Sequence, residues 1–249
     1  MIEMARRGDV AVLRMAHGKA NALDLELCEA LTAQFDDSAR SDARALVLVG
    51  QGKMFSAGLD LVRLVDGGAA YVRAFVPVFN RTFETLFACP KPVVAAVNGH
   101  AIAGGCILAC AADYRLMARE PGRIGIPELL VGVPFPVVPL EIMRFAAPAQ
   151  HLQAMAFLGT TMTADAALQH GLVDAVSDPD RLLDEAVAVA QSLAAIPSPA
   201  FTLTKRQLRE PAMQRIRAGA AVDAEVTNAW ASAEMLDAIR AYVARTLKR

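Results

Sequence analysis

Apolar residues follow two periods along the first half of the chain, and these periods predict alternating strands and helices. The segments VAVLRM (Val10–Met15) and RALVLVG (residues 44–50) are rich in valine and leucine, which is typical of buried strands. Between them, Leu27, Leu31 and Phe35 recur every four residues and predict the apolar face of a helix. Strands that alternate with helices indicate a layered α/β architecture.

A second α/β unit follows a loop with the sequence GKMFSAGLDL. Beyond this loop, apolar residues three or four apart predict a long helix that ends before Pro90 and Pro92. Residues 93–112 carry no charge and are numerous enough to cross a bilayer. Polar residues and glycines interrupt this segment, so we expect a strand at Val93–Val97, a turn and a short buried helix from about Gly104.

The second half of the chain is mainly helical in pattern. Thr163 is placed as a helix N-cap and Gly171 as the stop of that short helix, before a short strand. The segment DRLLDEAVAVAQSLAAI is amphipathic, and residues 211–249 are expected to be helical. The pattern changes near residue 195. We therefore predict an α/β core over residues 1–195 and a helical subdomain over residues 196–249.

Composition narrows the classes of partner. The 249 residues include 25 basic and 26 acidic ones, for a net charge of -1, which gives no electrostatic reason to expect nucleic acid or a membrane surface. A mean hydropathy of +0.34 indicates more apolar surface than one soluble domain needs, so we expect subunit interfaces. The first fifteen residues carry charges where a signal peptide is apolar, and the four cysteines are scattered, so a cytoplasmic setting is expected.

Several common kinds of site find little support in the sequence. Neither the dinucleotide pattern G-x-G-x-x-G nor the phosphate-binding pattern G-x-x-x-x-G-K-[ST] is present. The four histidines lack metal-ligand spacing, and Cys106 and Cys110 share a helix face without further ligands nearby, which favours core packing. Ser56 follows MF rather than the G-x of a nucleophile elbow. No metal is expected.

Two adjacent glycines at the predicted start of a buried helix are the most informative local feature. In HAIAGGCILACAAD (residues 100–113), Gly104 and Gly105 stand where helical N–H groups have no intrahelical partner. Without a Cβ, a ligand can approach these groups closely. The loop FSAGLD (residues 55–60) also contains small residues, which would let its backbone approach a ligand. Two converging N–H groups would form an oxyanion hole, although the glycines could equally serve tight helix packing.

Three segments at characteristic separation resemble the crotonase superfamily of enoyl-CoA hydratases and isomerases. They are GKMFSAGLDL, VNGHAIAGGCILACAADYRL and IGIPELLVGV, with NALD near the start and AALQHGLVDAV towards the end. The resemblance implies a spiral of β-β-α units with a C-terminal helical part used for trimerisation, assembled as a homotrimer or as a hexamer built from two trimers. It also implies an acyl-CoA thioester substrate, with CoA as part of the substrate and no separate cofactor.

The resemblance assigns roles to particular residues. The oxyanion hole would consist of the N–H groups of Leu59 and Gly104, with the thioester carbonyl between them. The region around Lys19 resembles the part that meets the CoA adenine, and the loop around Leu59 lines the substrate. The implied substrate-binding residues in these two segments are Lys19, Ala20, Ala22, Ala57, Gly58, Asp60 and Leu61.

The carboxylates favour one reaction within the superfamily. The hydratases carry two glutamates; here the position of the first is Ile107, and the second is Glu128. One carboxylate suffices for a 1,3-proton shift, as in the mitochondrial-type Δ3,Δ2-enoyl-CoA isomerases, which the chain resembles in this respect. Apolar neighbours, Ile107 included, would raise the pKa of the catalytic base Glu128. Phe135 either fills part of the acyl pocket or packs in the core, and Glu141 is a minor candidate for a second acid.

The predicted function is therefore conversion of a 3-enoyl-CoA to a 2-enoyl-CoA. One alternative is a hydratase, or another lyase of this fold, whose second acid comes from elsewhere in the chain. A further alternative is an acyl-CoA-binding protein without turnover. Because one fold hosts several reactions, the site has to decide among them.

Overall fold

The computed structural model of the chain describes residues 1–246, which form ten strands and eleven helices. The strands are β1 (Ile2–Arg7), β2 (Val10–Met15), β3 (Ala45–Val49), β4 (Met54–Ser56), β5 (Val93–Val97), β6 (His100–Ile102), β7 (Tyr114–Ala118), β8 (Ile124–Gly125), β9 (Thr161–Met162) and β10 (Ala175–Ser177).

The helices are distributed between the strands in the first half of the chain and follow one another at the end. They are α1 (Leu25–Arg40), α2 (Leu61–Ala88), α3 (Gly104–Cys110), α4 (Glu128–Val131), α5 (Val137–Ala146), α6 (Ala149–Leu158), α7 (Ala164–Gln169), α8 (Leu182–Ala194), α9 (Ser198–Ala218), α10 (Ala220–Trp230) and α11 (Ala233–Thr246). Helix α2 is broken at Gly68, where φ is +60°.

Two sheets form the α/β part. The larger has the order β1-β2-β3-β5-β7-β10, and all of its pairs are parallel except β1 with β2. The smaller has the order β4-β6-β8-β9, and only β8 with β9 is antiparallel. Successive parallel strands connected through helices give the predicted α/β layering.

The two faces of the larger sheet pack against different helices. On β3, Leu46 and Leu48 point into the main core, which also contains apolar residues of α1, α2 and α3. Ala45 and Val47 point to the opposite face, where α8 covers the sheet through residues such as Ala190. This division follows from the two-residue period of a strand, and it explains why strands buried on both faces have continuous apolar sequences.

The C-terminal helices share the main core. Helix α9 packs against α5, and α10 and α11 pack against α2. Trp230 on α10 is buried, its Nε1–H donates to the Pro134 carbonyl oxygen at 2.9 Å, and its ring centroid lies 6.3 Å from that of Phe79. The predicted subdomain boundary falls between α8 and α9, and residues 247–249 of that subdomain lie outside the described residues.

A buried ion cluster attaches α9 to the sheet. Asp113, at the start of β7, accepts from the N–H of Val93 at 2.8 Å. Its carboxylate also binds Lys205 Nζ at 2.6 Å and Arg209 Nη2 at 2.8 Å, and both cations are buried. Burial lowers the pKa of Lys205, and the nearby Asp113 partly offsets this effect. These contacts give Asp113 a structural role.

The elements differ from the expected ones in several places, and strand β4, for example, lies inside the expected loop GKMFSAGLDL. Residues 93–112 form β5, an unexpected strand β6, and then α3 from Gly104. The C-terminal helices begin at Ser198, well before residue 211, and Pro211 lies inside α9. The edge strand β1 was not predicted. Among residues 1–246, no single helix is both long and apolar enough to cross a membrane; α8 and α9 pass that test only as a pair, bent by 102° between them.

Candidate active site

A largely apolar cavity of about 360 Å³ lies where the loop before α1, the loop before α2, the start of α3, helix α4 and helix α11 meet. Among the described residues, Asp60 and Glu128 are the only carboxylate residues of its wall. The cavity wall consists of Ala20, Ala22, Ala57, Leu59, Asp60, Leu61, Val62, Ile102, Ala103, Pro127, Glu128, Val131, Val133 and Tyr242.

The start of α3 forms one side of this cavity. Ala103 precedes the helix with φ +53°, a conformation that is strained for alanine and costs of order 1–3 kcal/mol. Its N–H donates to the Gly125 carbonyl at 2.8 Å, which holds it in place. Strained residues held in this way are concentrated at functional sites. Here the strained residue lies on the cavity wall directly before Gly104.

Both glycines of α3 are closely packed, and backbone contact leaves no room for a side chain at Gly105. A Cβ on Gly104 would lie 2.8 Å from Leu23 Cδ1, and a Cβ on Gly105 would collide with the Ser56 carbonyl oxygen. Tight packing of this helix is therefore real. Close packing does not exclude a role of Gly104 as an oxyanion donor, because within residues 1–246 its N–H has no hydrogen-bond partner.

The loop before α2 brings a second N–H group to the same place. Gly58 has φ +81°, and a Cβ there would lie 2.6 Å from the Ile102 carbonyl oxygen and 3.0 Å from Gly104 N. The residue after Gly58 is Leu59, whose N–H also lacks a hydrogen-bond partner in the described part of the chain. The geometry thus brings the segments that carry Leu59 and Gly104 into direct contact, as an oxyanion hole requires.

Glu128 supplies an unpaired carboxyl group. It is the first residue of α4, after Pro127, and its side chain lines the cavity while the residue is only 6% exposed. Neither carboxyl oxygen has a hydrogen-bond partner among the described residues. Burial raises the pKa of this carboxyl from its ordinary value of 4.5 to about 8. A carboxyl in this state binds a proton strongly and, once ionised, is an effective base.

Asp60 differs from Glu128 in its environment. Its carboxylate caps α2 by accepting from the N–H of Arg63 at 2.9 Å.

Among the described residues, no group of three or more His, Cys, Asp or Glu side chains is arranged to hold a metal ion. The cavity therefore offers two backbone donors, one free carboxyl group and one capping carboxylate.

The residues predicted for substrate binding fall into two groups. Ala20, Ala22, Ala57, Asp60 and Leu61 line the cavity, and Gly58 lies between two of its wall residues. The others are placed elsewhere: Lys19 is exposed, Ile107 is buried in the main core, and Phe135 packs against that core.

The expectations for Phe135 and Glu141 are resolved by packing. Phe135 follows the core-packing alternative and does not form part of the cavity wall. Glu141 is buried, but its carboxylate binds Arg144 at 2.6 Å and Arg215 at 2.5 Å, away from the cavity wall. Because this carboxylate is engaged by two guanidinium groups and does not reach the cavity, the suggestion that Glu141 is a second acid is wrong.

Part of the cavity wall was not anticipated from the sequence. Val131 and Val133 follow Glu128 closely, so their position could have been inferred from the same motif. Tyr242 comes from α11, near the end of the described chain, and packs there because α11 lies against α2 and α4. No local signal in the sequence marks Tyr242.

Comparison with known proteins shows the family of the chain. The model of the enoyl-CoA hydratase/isomerase family matches residues 5–246. A putative enoyl-CoA hydratase of Thermus thermophilus is 33% identical over 243 residues, covering 95% of both chains. The human mitochondrial Δ(3,5)-Δ(2,4)-dienoyl-CoA isomerase is 34% identical over 204 residues, which cover 76% of this chain and 62% of that protein.

The fold is shared with solved structures of the same kind. The crystal structure of human mitochondrial Δ3-Δ2-enoyl-CoA isomerase has a TM-score of 0.93 and 25% identity, and covers 99% of this chain and 98% of its own. This similarity confirms the predicted crotonase-type α/β fold with its helical C-terminal region. A family match over nearly the whole chain makes this protein a member of the enoyl-CoA hydratase/isomerase family.

Proposed function

We propose that the protein isomerises 3-enoyl-CoA thioesters to 2-enoyl-CoA thioesters, with Glu128 as the base that removes and returns the proton. The observation that carries this proposal is the free, buried carboxyl group of Glu128 on the same cavity wall as Leu59 and Ala103. An apolar cavity suits an acyl chain. A raised pKa suits abstraction of a proton from carbon.

The reaction follows from these groups. The thioester oxygen accepts from the N–H groups of Leu59 and Gly104, and the ionised Glu128 removes a proton from C2. The C2–H electrons form a dienolate whose negative charge rests on the thioester oxygen. Glu128 then returns the proton to C4, so that the double bond moves from C3–C4 to C2–C3. No electrons leave the substrate, and the scheme uses no cofactor beyond the CoA of the substrate.

Hydration is the second candidate, because Asp60 places another carboxylate on the cavity wall. Addition of water to 2-enoyl-CoA benefits from two proton-handling groups. We favour isomerisation because the Asp60 carboxylate is already occupied in capping α2. The names of the relatives include both activities, so the site has to decide between them.

Two variants separate these candidates. Glu128→Gln should retain binding of the CoA thioester and lower turnover of 3-enoyl-CoA by roughly 10²–10⁴-fold, the range for a general base. Asp60→Asn should keep isomerisation, because asparagine also caps helices. Loss of a substantial hydratase activity in Asp60→Asn would favour the second candidate. A wild-type protein that binds but converts neither substrate would indicate an acyl-CoA-binding protein.

We also propose that the chain assembles as a homotrimer, or as a hexamer of two trimers. Its support is an exposed apolar patch on adjacent helices α4 and α6, formed by Leu129, Leu130, Phe157 and Leu158. Exposed patches of this kind mark protein interfaces. Phe157→Glu should reduce the mass measured by light scattering if this patch is the interface, and an unchanged mass would place the interface elsewhere.

A further inference from the structure

We infer that Asn21 is a positioning residue, which fixes the loop that carries the Leu59 N–H and so sets the geometry of the oxyanion hole. This inference rests on the proposed function. Asn21 is 2% exposed and does not line the cavity, so it acts on the substrate only through other residues.

The side chain of Asn21 joins two segments that are far apart in sequence. Its Oδ1 accepts from the N–H of His17 at 2.8 Å. Its Nδ2 donates to the carbonyl oxygen of Phe55 at 3.1 Å and, at 3.3 Å, to that of Met54. Both hydrogen-bonding ends of the amide are therefore used, and its donor end holds the strand that leads into the Leu59 loop.

The main chain of Asn21 extends the same connection. Its carbonyl oxygen accepts from Ser56 Oγ at 2.7 Å, and that hydroxyl oxygen in turn accepts from the N–H of Gly58 at 3.1 Å. Asn21 therefore reaches Gly58, the residue directly before Leu59, through a single hydroxyl group. Ser56 is fully buried, so water does not compete for these bonds.

Leu23 fixes the loop on both sides of Leu59. The Leu23 N–H donates to the Gly58 carbonyl at 2.7 Å, and the Asp60 N–H donates to the Leu23 carbonyl at 3.1 Å. The two hydrogen bonds of this pairing are formed by Gly58 and Asp60, the residues on either side of Leu59, and the N–H of Leu59 takes part in neither. Asn21 lies two residues before Leu23, in the same segment that makes this pairing.

The conformation of Asn21 explains why this residue type is used. Its φ of +47° lies in the left-handed region, which asparagine tolerates better than most residues. Glycine would allow the same backbone path but would lose every side-chain hydrogen bond. Aspartate would place an oxygen without a proton against the carbonyl oxygens of Met54 and Phe55. Asparagine satisfies both the backbone and the hydrogen bonds.

A small movement of this loop affects catalysis because its neighbours are fixed. Gly58 packs against Ile102 and the N-terminus of α3, so a shift of Gly58 changes the separation of the two oxyanion donors. Misplacement of reacting groups by about 1 Å can cost roughly 10²-fold in rate. We therefore expect Asn21 to influence kcat more than substrate binding.

The test compares Asn21→Gly with Asn98→Gly. Asn98 is a matched control, because its Oδ1 accepts from Gly50 N at 2.7 Å and its Nδ2 donates to the Gly52 carbonyl at 2.9 Å. These bonds hold the turn before β4, and the contact of Asn98 with β4 itself is a weaker bond from its Nδ2 to the Met54 carbonyl at 3.4 Å. Asn21→Gly should lower kcat for 3-enoyl-CoA by about 10²-fold with a much smaller change in KM. Asn98→Gly should leave kcat unchanged even if it lowers the melting temperature.

A spectroscopic measurement tests the inference independently of turnover. Acetoacetyl-CoA should bind to the wild-type protein partly as its enolate, whose ultraviolet absorption reports charge stabilised by the oxyanion hole. Asn21→Gly should lower this enolate fraction and leave the affinity for S-butyl-CoA, a thioether without a carbonyl, essentially unchanged. If the wild-type protein fails to isomerise 3-enoyl-CoA, the proposed function is wrong, but the enolate measurement still tests Asn21.

The outcomes are distinct. An enolate fraction in Asn21→Gly equal to that of the wild type overturns the inference, as does an equal loss in Asn98→Gly, which would indicate general loosening. If Asn21→Gly does not fold, Ser56→Ala replaces it, because it removes only the hydroxyl link between Asn21 and Gly58. Ser56→Ala should lower the enolate fraction, and an unchanged fraction would contradict the inference.

Discussion

The buried carboxyl of Glu128 makes the stability of the unliganded protein depend on pH. Its pKa is about 8 in the folded protein and near 4.5 when the chain is unfolded. Between these two values the folded state holds a proton that the unfolded state has released, so the free energy of unfolding falls as pH rises. The contribution is fully present below pH 4.5 and is lost by about pH 8.

The magnitude follows from the pKa difference. At about 1.36 kcal/mol per pKa unit, the full effect is ~5 kcal/mol, of which about 3–4 kcal/mol falls between pH 5 and pH 8. This is a large fraction of the stability of an ordinary domain. Because the carboxyl group is almost fully buried and forms no ion pair within residues 1–246, solvent screening reduces the effect little.

Glu128→Gln isolates this effect, because an amide of nearly the same size does not titrate. Urea unfolding at fixed protein concentration, from pH 5 to pH 8, gives the free energy of unfolding of both proteins. The variant should gain stability relative to the wild type as pH rises, by about 3–4 kcal/mol over this range. Glu29→Gln, on the exposed face of α1, is the control and should show no such trend.

A constant difference between Glu128→Gln and the wild type from pH 5 to pH 8 would refute the reasoning. It would mean that the Glu128 carboxyl titrates near its ordinary value, and hence that water or another group reaches it. The same trend in Glu29→Gln would show that the effect comes from the net charge of the chain rather than from burial.

Three further predictions concern activity and stability. In steady-state assays, kcat/KM for 3-enoyl-CoA should rise about tenfold per pH unit and level off above about pH 8, because in the proposed mechanism only ionised Glu128 removes a proton; a flat profile below pH 8 would contradict this. Gly58→Ala should lower kcat by roughly 10²-fold in the same assay. The new Cβ would clash with the Ile102 carbonyl oxygen, and the φ of +81° at residue 58 is strained for alanine; an active variant would show that the loop can shift. Asp113→Asn should lower the free energy of unfolding, measured by urea denaturation, by about 3–5 kcal/mol, because it leaves Lys205 and Arg209 buried without a counter-ion. A loss below about 1 kcal/mol, which is typical of exposed ion pairs, would contradict this prediction.

Elements with a clear buried face were predictable from the sequence. Strands β2, β3 and β5 have continuous apolar residues because packed layers cover both of their faces. Helices α1 and α2 have periodic apolar residues because one face of each packs into the main core. Strand β1 was missed for the opposite reason. It lies at the edge of the sheet, its residues are mostly exposed, and its sequence, IEMARR, shows no apolar alternation.

The candidate site was predictable where its residues are neighbours in sequence. The segments around Leu59, Gly104 and Glu128 each carry a local motif. Tyr242 could not be predicted, because it reaches the cavity only through the packing of α11. Local sequence also cannot show that Arg215, 74 residues beyond Glu141, neutralises that carboxylate. Contacts between residues far apart in sequence determine the surroundings of Tyr242 and Glu141, whereas a sequence pattern indicates only how neighbouring residues are arranged.

The central claim is that a single free carboxyl group, Glu128, gives this site isomerase rather than hydratase chemistry. Its most direct test is to incubate the purified wild-type protein with 3-enoyl-CoA and, separately, with 2-enoyl-CoA, and to identify the products by chromatography. We predict that 3-enoyl-CoA is converted to 2-enoyl-CoA, while 2-enoyl-CoA gains water slowly or not at all. Hydration of 2-enoyl-CoA as fast as the isomerisation would contradict the claim.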